Sequence, residues 1–315
     1  MTTPKSPRVS ASHLSATSII AIGILVLMAV IGIWQSVLPY FAERDYREGF
    51  NRDAQQNYSA AIAFHQQAVS EAPWEVQYKT ELGKSYENYA GTLAKTDEKL
   101  IYLGKAEAVY RQSIAYDKMN PWYRNRLGNV LLQYAQLKPY NKTKYLTEAE
   151  DQFKTASVLD HNNPLFQLSL AYFYHQTNRL DEAQIYYEKS LDIDDRILEA
   201  HFNLADIYRR TNRFNLAIDQ YAEIYVASPN FQNIPDILGT AYVQQRQYAK
   251  AAKIYEAQVK QRPFDYMPLR KLADTYLMMK DWQKAVDTYK RISQAYIDAP
   301  IQGPYQFALS QLHAK

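Results

Sequence analysis

Apolar, small and polar positions recur along residues 164–293 with two periods, that of an α-helix and a longer interval of 34 residues. A leucine marks each longer repeat, a small residue follows it, and a tyrosine comes four positions after the leucine. The i, i+4 spacing places the leucine and the tyrosine on one helix face. These positions are Leu170, Ala171 and Tyr174; Leu204, Ala205 and Tyr208; Leu238, Gly239 and Tyr242; and Leu272, Ala273 and Tyr276. The pattern predicts one helix at the start of each repeat.

A second helix is predicted in each repeat by an alanine 13 residues after the leucine and a tyrosine four residues further on. The pairs are Ala183 and Tyr187, Ala217 and Tyr221, Ala251 and Tyr255, and Ala285 and Tyr289. Small residues let two helices approach closely, and the aromatic rings fill the space between them. We therefore expect each repeat to be a helical hairpin.

These positions closely resemble the tetratricopeptide repeat, a 34-residue helix-turn-helix unit with this arrangement of leucine, small residues and aromatics. Three more degenerate units precede the four regular ones, with Gly49 and Ala61, with Gly83 and Ala106, and with Gly128 and Ala149 at matching positions. The second and third units are longer by eleven and nine residues, which lengthened helices or a protruding loop would absorb. The resemblance implies an all-α fold, an α-solenoid of about seven hairpins over residues 42–293. We place the units at 42–75, 76–120, 121–163, 164–197, 198–231, 232–265 and 266–293, with a capping helix in 294–315.

Composition agrees with stacked helices. The chain has 47% apolar residues but 9 glycines in 315, which favours helices over strands and tight hairpins. A formal charge of +3 is too small to suggest a nucleic-acid partner. With no cysteine, the sequence excludes disulfides and cysteine metal sites but leaves the redox compartment open.

An uncharged segment precedes the repeats, with no Asp, Glu, Lys or Arg between Arg8 and Glu43. Its apolar run Ile19–Leu38 reaches about 30 Å as a helix, the thickness of a bilayer's hydrocarbon core. Trp34 and Tyr40 fall where that span would meet the lipid headgroups. We predict a transmembrane anchor at 18–41 after a short basic tail at 1–17. A cleaved signal peptide is one alternative, although signal peptides usually have a shorter apolar region that ends in a small-residue cleavage site. A buried core helix is a second alternative.

Basic residues flank this single span on both sides and bear on its orientation. Lys5 and Arg8 precede it and Arg44, Arg47 and Arg52 follow it, so that the positive charges nearly balance. We predict that the short tail lies inside and the repeats lie on the exported side, either periplasmic or extracellular.

The family resemblance also implies a binding surface, because tetratricopeptide arrays hold peptides or partner helices on a concave face lined by their first helices. By that template, the side chains expected there are Trp122, Asn125, Asn129, Tyr172, Gln176, Phe202, Asp206, Arg209, Arg210, Asp236, Thr240, Arg270 and Asp274. Aromatic and arginine side chains contribute strongly at protein interfaces. We predict protein partners for this surface, with ordinary solvated helix faces as the alternative interpretation.

No motif for catalysis, a cofactor or a metal stands out. The sequence Gly83-Lys84-Ser85 resembles the end of a phosphate loop, but Tyr78 occupies the position of the required earlier glycine. The histidines lack metal-ligand spacing, and His65 falls where the repeat template places a core aromatic. We therefore predict a non-enzymatic protein without cofactor or metal.

The resulting hypothesis is a membrane-anchored scaffold that binds proteins and organises a membrane-associated complex. Residues 120–128 also resemble the repeat domain that ends some bacterial O-antigen ligases and polymerases, which implies a role beside a glycan-assembly enzyme. A third possibility is a structural solenoid that self-assembles by stacking end to end.

Overall fold

The computed structural model describes residues 16–295 and 301–314, with side chains described from residue 20 except at 33–35 and 293–295. Within these ranges the chain is α-helical with short connections and contains no strand. The all-α fold class predicted from the sequence is therefore confirmed. Most of the predicted tail 1–17, the side chain of Trp34, and residues 296–300 of the predicted capping segment lie outside the described residues.

Fifteen α-helices and two short 3₁₀-helices make up the described part of the chain. The helices are α1 Ala16–Ala54, α2 Tyr58–Glu71, α3 Val76–Thr92, α4 Thr96–Tyr116, α5 Pro121–Leu137, α6 Lys142–Leu159, α7 Pro164–Gln176, α8 Leu180–Ile193, α9 Leu198–Arg210, α10 Phe214–Ala227, α11 Ile234–Gln244, α12 Tyr248–Gln261, α13 Tyr266–Met278, α14 Trp282–Ala295 and α15 Gln302–His313. The 3₁₀-helices, Pro139–Asn141 and Phe231–Asn233, precede α6 and α11.

Helix α1 contains both the apolar segment and the first repeat helix. Its part from Ile20 is the one described helix that is long and apolar enough to cross a membrane, with a mean hydropathy of 2.3 in its most apolar stretch. Large apolar side chains such as Ile20, Leu25 and Val30 are more than half exposed there. Length and composition fit a membrane span, and they also fit a signal sequence.

The chain divides into two compact units, residues 1–152 and 153–315, with the division inside α6. In the first unit, α1 packs against α2 and α3 against α4. In the second unit the hairpins are α7 with α8, α9 with α10, α11 with α12, and α13 with α14, and α15 packs on α14. Consecutive hairpins within each unit also contact each other, as stacked repeats do.

The turns inside the regular hairpins share a backbone conformation that the sequence pattern did not reveal. Asn178, Asn212, Arg246 and Lys280, each eight residues after the repeat leucine, have φ near +60°. The next amide then donates back to the tyrosine carbonyl of the first helix, as from Arg179 to Tyr174 O at 2.9 Å. This is the helix-ending geometry that usually employs glycine or asparagine.

The two longer repeats lack that turn because their helices continue through it. Helices α3 and α4 have 17 and 21 residues, compared with 13 and 14 for α7 and α8. The extra residues therefore extend the helices and do not form a protruding loop.

In three hairpins a ring from the second helix packs against the glycine of the first helix. A methyl group added at Gly83 would lie 2.9 Å from the Tyr110 ring, and one at Gly239 would lie 2.7 Å from the Tyr255 ring. At Gly49 the ring is that of His65, which is fully buried, as its repeat position predicts. Contacts under 3.0 Å leave no room for a larger side chain unless the ring moves.

Two substitutions in α3 test this contact. We expect Gly83→Leu to lower the free energy of unfolding by about 1–3 kcal/mol, because the new side chain overlaps Tyr110. At Gly91 in the same helix an added Cβ atom would meet no atom within 4 Å, so Gly91→Leu should raise stability by up to about 1 kcal/mol through helix propensity. Urea unfolding of the detergent-solubilised chain, followed by circular dichroism, measures both. Equal effects of the two substitutions would contradict the close contact.

Candidate partner-binding surface

The residues predicted to bind partners lie on the first helices of their hairpins, α5, α7, α9, α11 and α13. We call the side of the second unit that carries Tyr172, Gln176 and the predicted residues of α9, α11 and α13 the first-helix face. Tyr172, Gln176, Arg209 and Arg210 are exposed on it. Phe202, Asp206, Asp236, Thr240, Arg270 and Asp274 are partly buried. The structure therefore brings these residues to a surface where most can still be reached.

Polar side chains link α7 and α9 across this face. The His175 Nε2 atom lies 3.3 Å from Asp206 Oδ2, and Asp206 Oδ1 accepts a hydrogen bond of 2.6 Å from Arg209. Arg210 donates to the side-chain oxygen of Asn178, in the turn of the preceding hairpin. The acid and the two arginines are thus held by neighbours on the face instead of extending freely into solvent.

A second set of pairs links α11 and α13. Lys271 forms an ion pair with Asp236, and Arg270 Nε donates to Asp274 Oδ2 at 2.9 Å. The Tyr289 hydroxyl, from the second helix beneath, also donates to Asp274. Partly buried ion pairs with an added hydroxyl donor are more fixed in position than exposed ones.

These pairs border a cavity of about 200 Å³. Its lining combines polar and apolar groups from α11, α12 and α13: Thr240, Val243, Tyr255, Lys271, Asp274, Thr275 and Met278. Met278 is 47% exposed at the rim. A concave site with apolar walls and a few convergent polar groups can receive one side chain of a partner.

Tyrosines of the second helices extend between the helices and contact side chains of the first-helix face. The Tyr255 hydroxyl lies 3.4 Å from Thr240 Oγ1, and the Tyr187 hydroxyl lies 3.4 Å from His175 Nδ1. Burial raises the pKa of both tyrosines, and at Tyr289 burial is joined by the hydrogen bond to Asp274. These hydroxyls therefore stay protonated at neutral pH and remain available as hydrogen-bond donors.

The predicted residues of α5 belong to the first unit and differ from one another in solvent exposure. Trp122 is 42% exposed at the start of the helix, and Asn129 is half-buried. Asn125 is only 7% exposed, so its side chain lies within the packing and is closed to a partner in this structure.

Sequence reasoning missed several contributors to the first-helix face, among them Thr275 and Met278, which line the cavity. His175 and Val243 lie five residues after the repeat leucine, and Lys271 lies one residue before it. A helix places residues three apart on one side, so the position of His175 could have been derived from Tyr172. Nothing in the spacing shows that Lys271 turns toward Asp236.

A larger cavity, of about 600 Å³, lies elsewhere in the second unit between the end of α6, α7 and α8. Its lining includes Ser157, Gln167, Tyr186, Lys189 and Asp192, none of which the sequence predicted. Among the described residues, no group of three His, Asp or Glu side chains is placed to hold a metal ion.

Comparison with known proteins gives the family of these hairpins. Tetratricopeptide repeat family models match residues 166–196, 198–230 and 238–300. These segments carry tetratricopeptide repeats. These matches do not extend to the predicted resemblance with O-antigen ligases. No curated protein matches the chain.

The chain is also similar to solved structures, and one of them has a TM-score above 0.5. A thermophilic tetratricopeptide repeat protein from Thermus thermophilus is 18% identical, with 64% of this chain and 99% of that chain covered and a TM-score of 0.52. Pseudomonas aeruginosa pilF is 14% identical, with coverages of 87% and 99% and a TM-score of 0.49. A tetratricopeptide repeat protein from Parabacteroides merdae is 12% identical, with coverages of 86% and 99% and a TM-score of 0.48.

The tetratricopeptide fold is that of a protein-interaction scaffold, and such repeats generally bind protein partners. Proteins of this fold generally do not act as enzymes themselves. The sequence-based prediction of protein binding is therefore supported at the level of the fold.

The side chains that link α7 and α9 shift the pKa of His175. Burial lowers the pKa of His175 below its ordinary value, with Asp206 acting in the opposite direction and Arg210 in the same direction. We expect Asp206→Asn to lower the pKa further and Arg210→Gln to raise it, as measured by histidine NMR with His175→Gln for assignment. Asp287→Asn on α14 is the control and should leave this pKa unchanged.

The direction of the shift also fixes its effect on stability. Because folding favours the neutral imidazole, the unfolded chain binds more protons in the range between the two pKa values. The stabilisation is present above the unfolded pKa and is lost as the pH falls through the folded pKa of His175. An increase in stability on acidification through this range that disappears with His175→Gln would contradict the assignment.

Proposed function

We propose that this protein is a single-pass membrane scaffold whose first-helix face binds a segment of a protein partner and so organises a membrane-associated complex. The observation that carries the proposal is the cavity between α11, α12 and α13, bordered by fixed acid–base pairs. The cavity is too small for a folded domain, but its volume suits one apolar side chain.

The chemistry of the face indicates what kind of segment would fit. Val243 and Met278 supply apolar contact in the cavity, while Thr240, Lys271 and Asp274 supply donors and acceptors at its wall. Positive and negative groups alternate along the face, so no strong field of one sign selects a highly charged ligand. We infer that the partner inserts an apolar side chain and pairs neighbouring polar groups of its own with Arg270 and Asp274.

Placement at a membrane is supported by α1. Its apolar segment leads without interruption into a helix whose later part packs in the first hairpin. A span of this length would hold the repeats next to the bilayer, and we propose that they lie on the exported side.

Site-directed crosslinking tests the binding surface. A photoreactive side chain at Val243 should give one discrete crosslinked product in native membranes, whereas one at Lys253, exposed on the second helix α12, should give none. Arg270→Glu should reduce the Val243 product at least about tenfold, because reversing one partly buried charge commonly costs more than about 1.4 kcal/mol. Lys253→Glu is the matched charge reversal. A product that is unaffected by Arg270→Glu would contradict the proposed surface.

Chemical labelling tests the anchor and its orientation. The chain has no cysteine, so a single Lys253→Cys substitution creates a unique thiol. We expect the protein to stay in the membrane pellet after alkaline extraction and the thiol to react with an impermeant maleimide in intact cells. Release into the alkaline supernatant would contradict the span, and labelling only after cell lysis would reverse the proposed orientation.

A further inference from the structure

We propose that one edge of the first unit lies against the lipid headgroup layer, with Trp74, Tyr116 and Met119 as its contacts. The occupant of this edge is thus the bilayer surface and not a protein. The inference rests on the proposed membrane span in α1 and adds a second membrane contact, made by the repeats themselves.

No linker separates the apolar segment from the repeats. Ala42 is fully buried and packs with Ala68, Ala72 and Tyr78. It follows Leu38, the last residue of the apolar run, by four residues of the same helix, which is about 6 Å along the axis. The packed part of the first unit therefore begins almost at the membrane surface.

Contacts between α1 and α3 identify the edge that lies nearest the apolar segment. The Tyr78 hydroxyl donates to Glu43 Oε2 at 3.0 Å, and the rings of Tyr46 and Tyr78 stack with centroids 4.9 Å apart. Farther along both helices, Ser85 Oγ donates to Asp53 Oδ2 at 2.6 Å. Helix α3 thus runs parallel to α1, and the loop at 72–75 lies beside the first packed turn.

The loop at 117–120 lies on the same edge. Helix α4 runs antiparallel to α3, with the Tyr110 ring on Gly83 and the Tyr110 hydroxyl donating to Glu87 at 3.2 Å. Six residues beyond Tyr110, Tyr116 ends α4 at about the level where Val76 begins α3, since both helices rise about 1.5 Å per residue. We call the loops 72–75 and 117–120, with Tyr116, the near edge.

Large side chains are exposed along this near edge. Trp74 is 53% exposed, Tyr116 75% and Met119 71%, and Tyr40 on α1 is 72% exposed just after the apolar segment. The charged residues of the near edge are of both signs, with Glu75 and Lys118 exposed and Asp117 partly buried. Tryptophan and tyrosine prefer the membrane–water interface, and lysine can extend its ammonium group to lipid phosphates.

The opposite edge of the first unit has a different composition. The turns that join α1 to α2 and α3 to α4 present Gln55, Gln56, Asn57 and Lys95 to solvent, and Tyr140 is the large exposed side chain at the turn after α5. Gln55 lies about 25 Å along α1 from Leu38, beyond the headgroup layer of a bilayer. The large exposed side chains thus lie on the edge closer to the apolar segment, and the polar turns lie on the edge farther from it. This difference favours lipid as the occupant of the near edge.

Fluorescent labels on single cysteines test this contact in the full chain. The substitutions are Met119→Cys on the near edge, Gln55→Cys on the far edge and Leu27→Cys in the apolar segment, each in phosphatidylcholine–phosphatidylglycerol vesicles. Lipids with a nitroxide on the headgroup should quench the Met119 label severalfold more strongly than the Gln55 label. Trp74→Ser with Tyr116→Ser should weaken that quenching, whereas Tyr140→Ser on the far edge should not.

The Leu27 label separates this inference from the proposed anchor. Quenching of Leu27 by acyl-chain nitroxides together with equal headgroup quenching at Met119 and Gln55 would overturn the near-edge contact and leave the anchor intact. Quenching of Leu27 by aqueous iodide would overturn the anchor itself. Shielding of Met119 from both lipid nitroxides and iodide would assign the near edge to a protein contact and also overturn the inference.

Discussion

The contact between a second-helix ring and a small first-helix residue sets the separation of the two helices in a repeat. At Gly49, Gly83 and Gly239 an added methyl group would meet the partner ring at less than 3.0 Å, so the ring packs directly on the backbone of the first helix. This spacing must recur in each hairpin for the next one to stack with the same geometry. The 34-residue period in the sequence reflects that requirement, because it repeats the small residue and the ring at the same positions of each hairpin.

The same contact connects the interior to the binding surface. The Tyr255 ring packs on Gly239 and its hydroxyl lies near Thr240, while the hydroxyls of Tyr289 and Tyr187 lie near Asp274 and His175. Because burial raises the pKa of these tyrosines, the hydroxyls remain donors and hold the surface acceptors in place. A surface whose polar groups are already oriented loses less conformational entropy when a partner binds.

The spacing of leucines, small residues and tyrosines was enough to predict the hairpins, because backbone period and side-chain face follow directly from helix geometry. It placed Asp206, Thr240 and Asp274 on first helices but could not show that His175 pairs with Asp206 or Lys271 with Asp236. Those pairings depend on rotamers and on the offset between neighbouring hairpins, which spacing does not encode. Asn125 illustrates the same limit. Its repeat position suggested an accessible side chain, but in the structure the side chain is buried.

Pro39 adds a physical reason for the position at which α1 changes from an apolar segment to a repeat helix. Proline lacks the amide that would bond the carbonyl of Gln35, so that carbonyl needs another donor. In hydrocarbon an unsatisfied carbonyl costs several kcal/mol, whereas at the headgroup level water can supply the bond. Pro39 directly follows the apolar run and directly precedes Tyr40, which is where the proposed span meets water. Proline inside a helix commonly bends it, so Pro39 is also the residue at which the directions of the proposed span and of the repeat helix can differ. Ala42 is already packed three residues later, so the first hairpin begins directly after this proline.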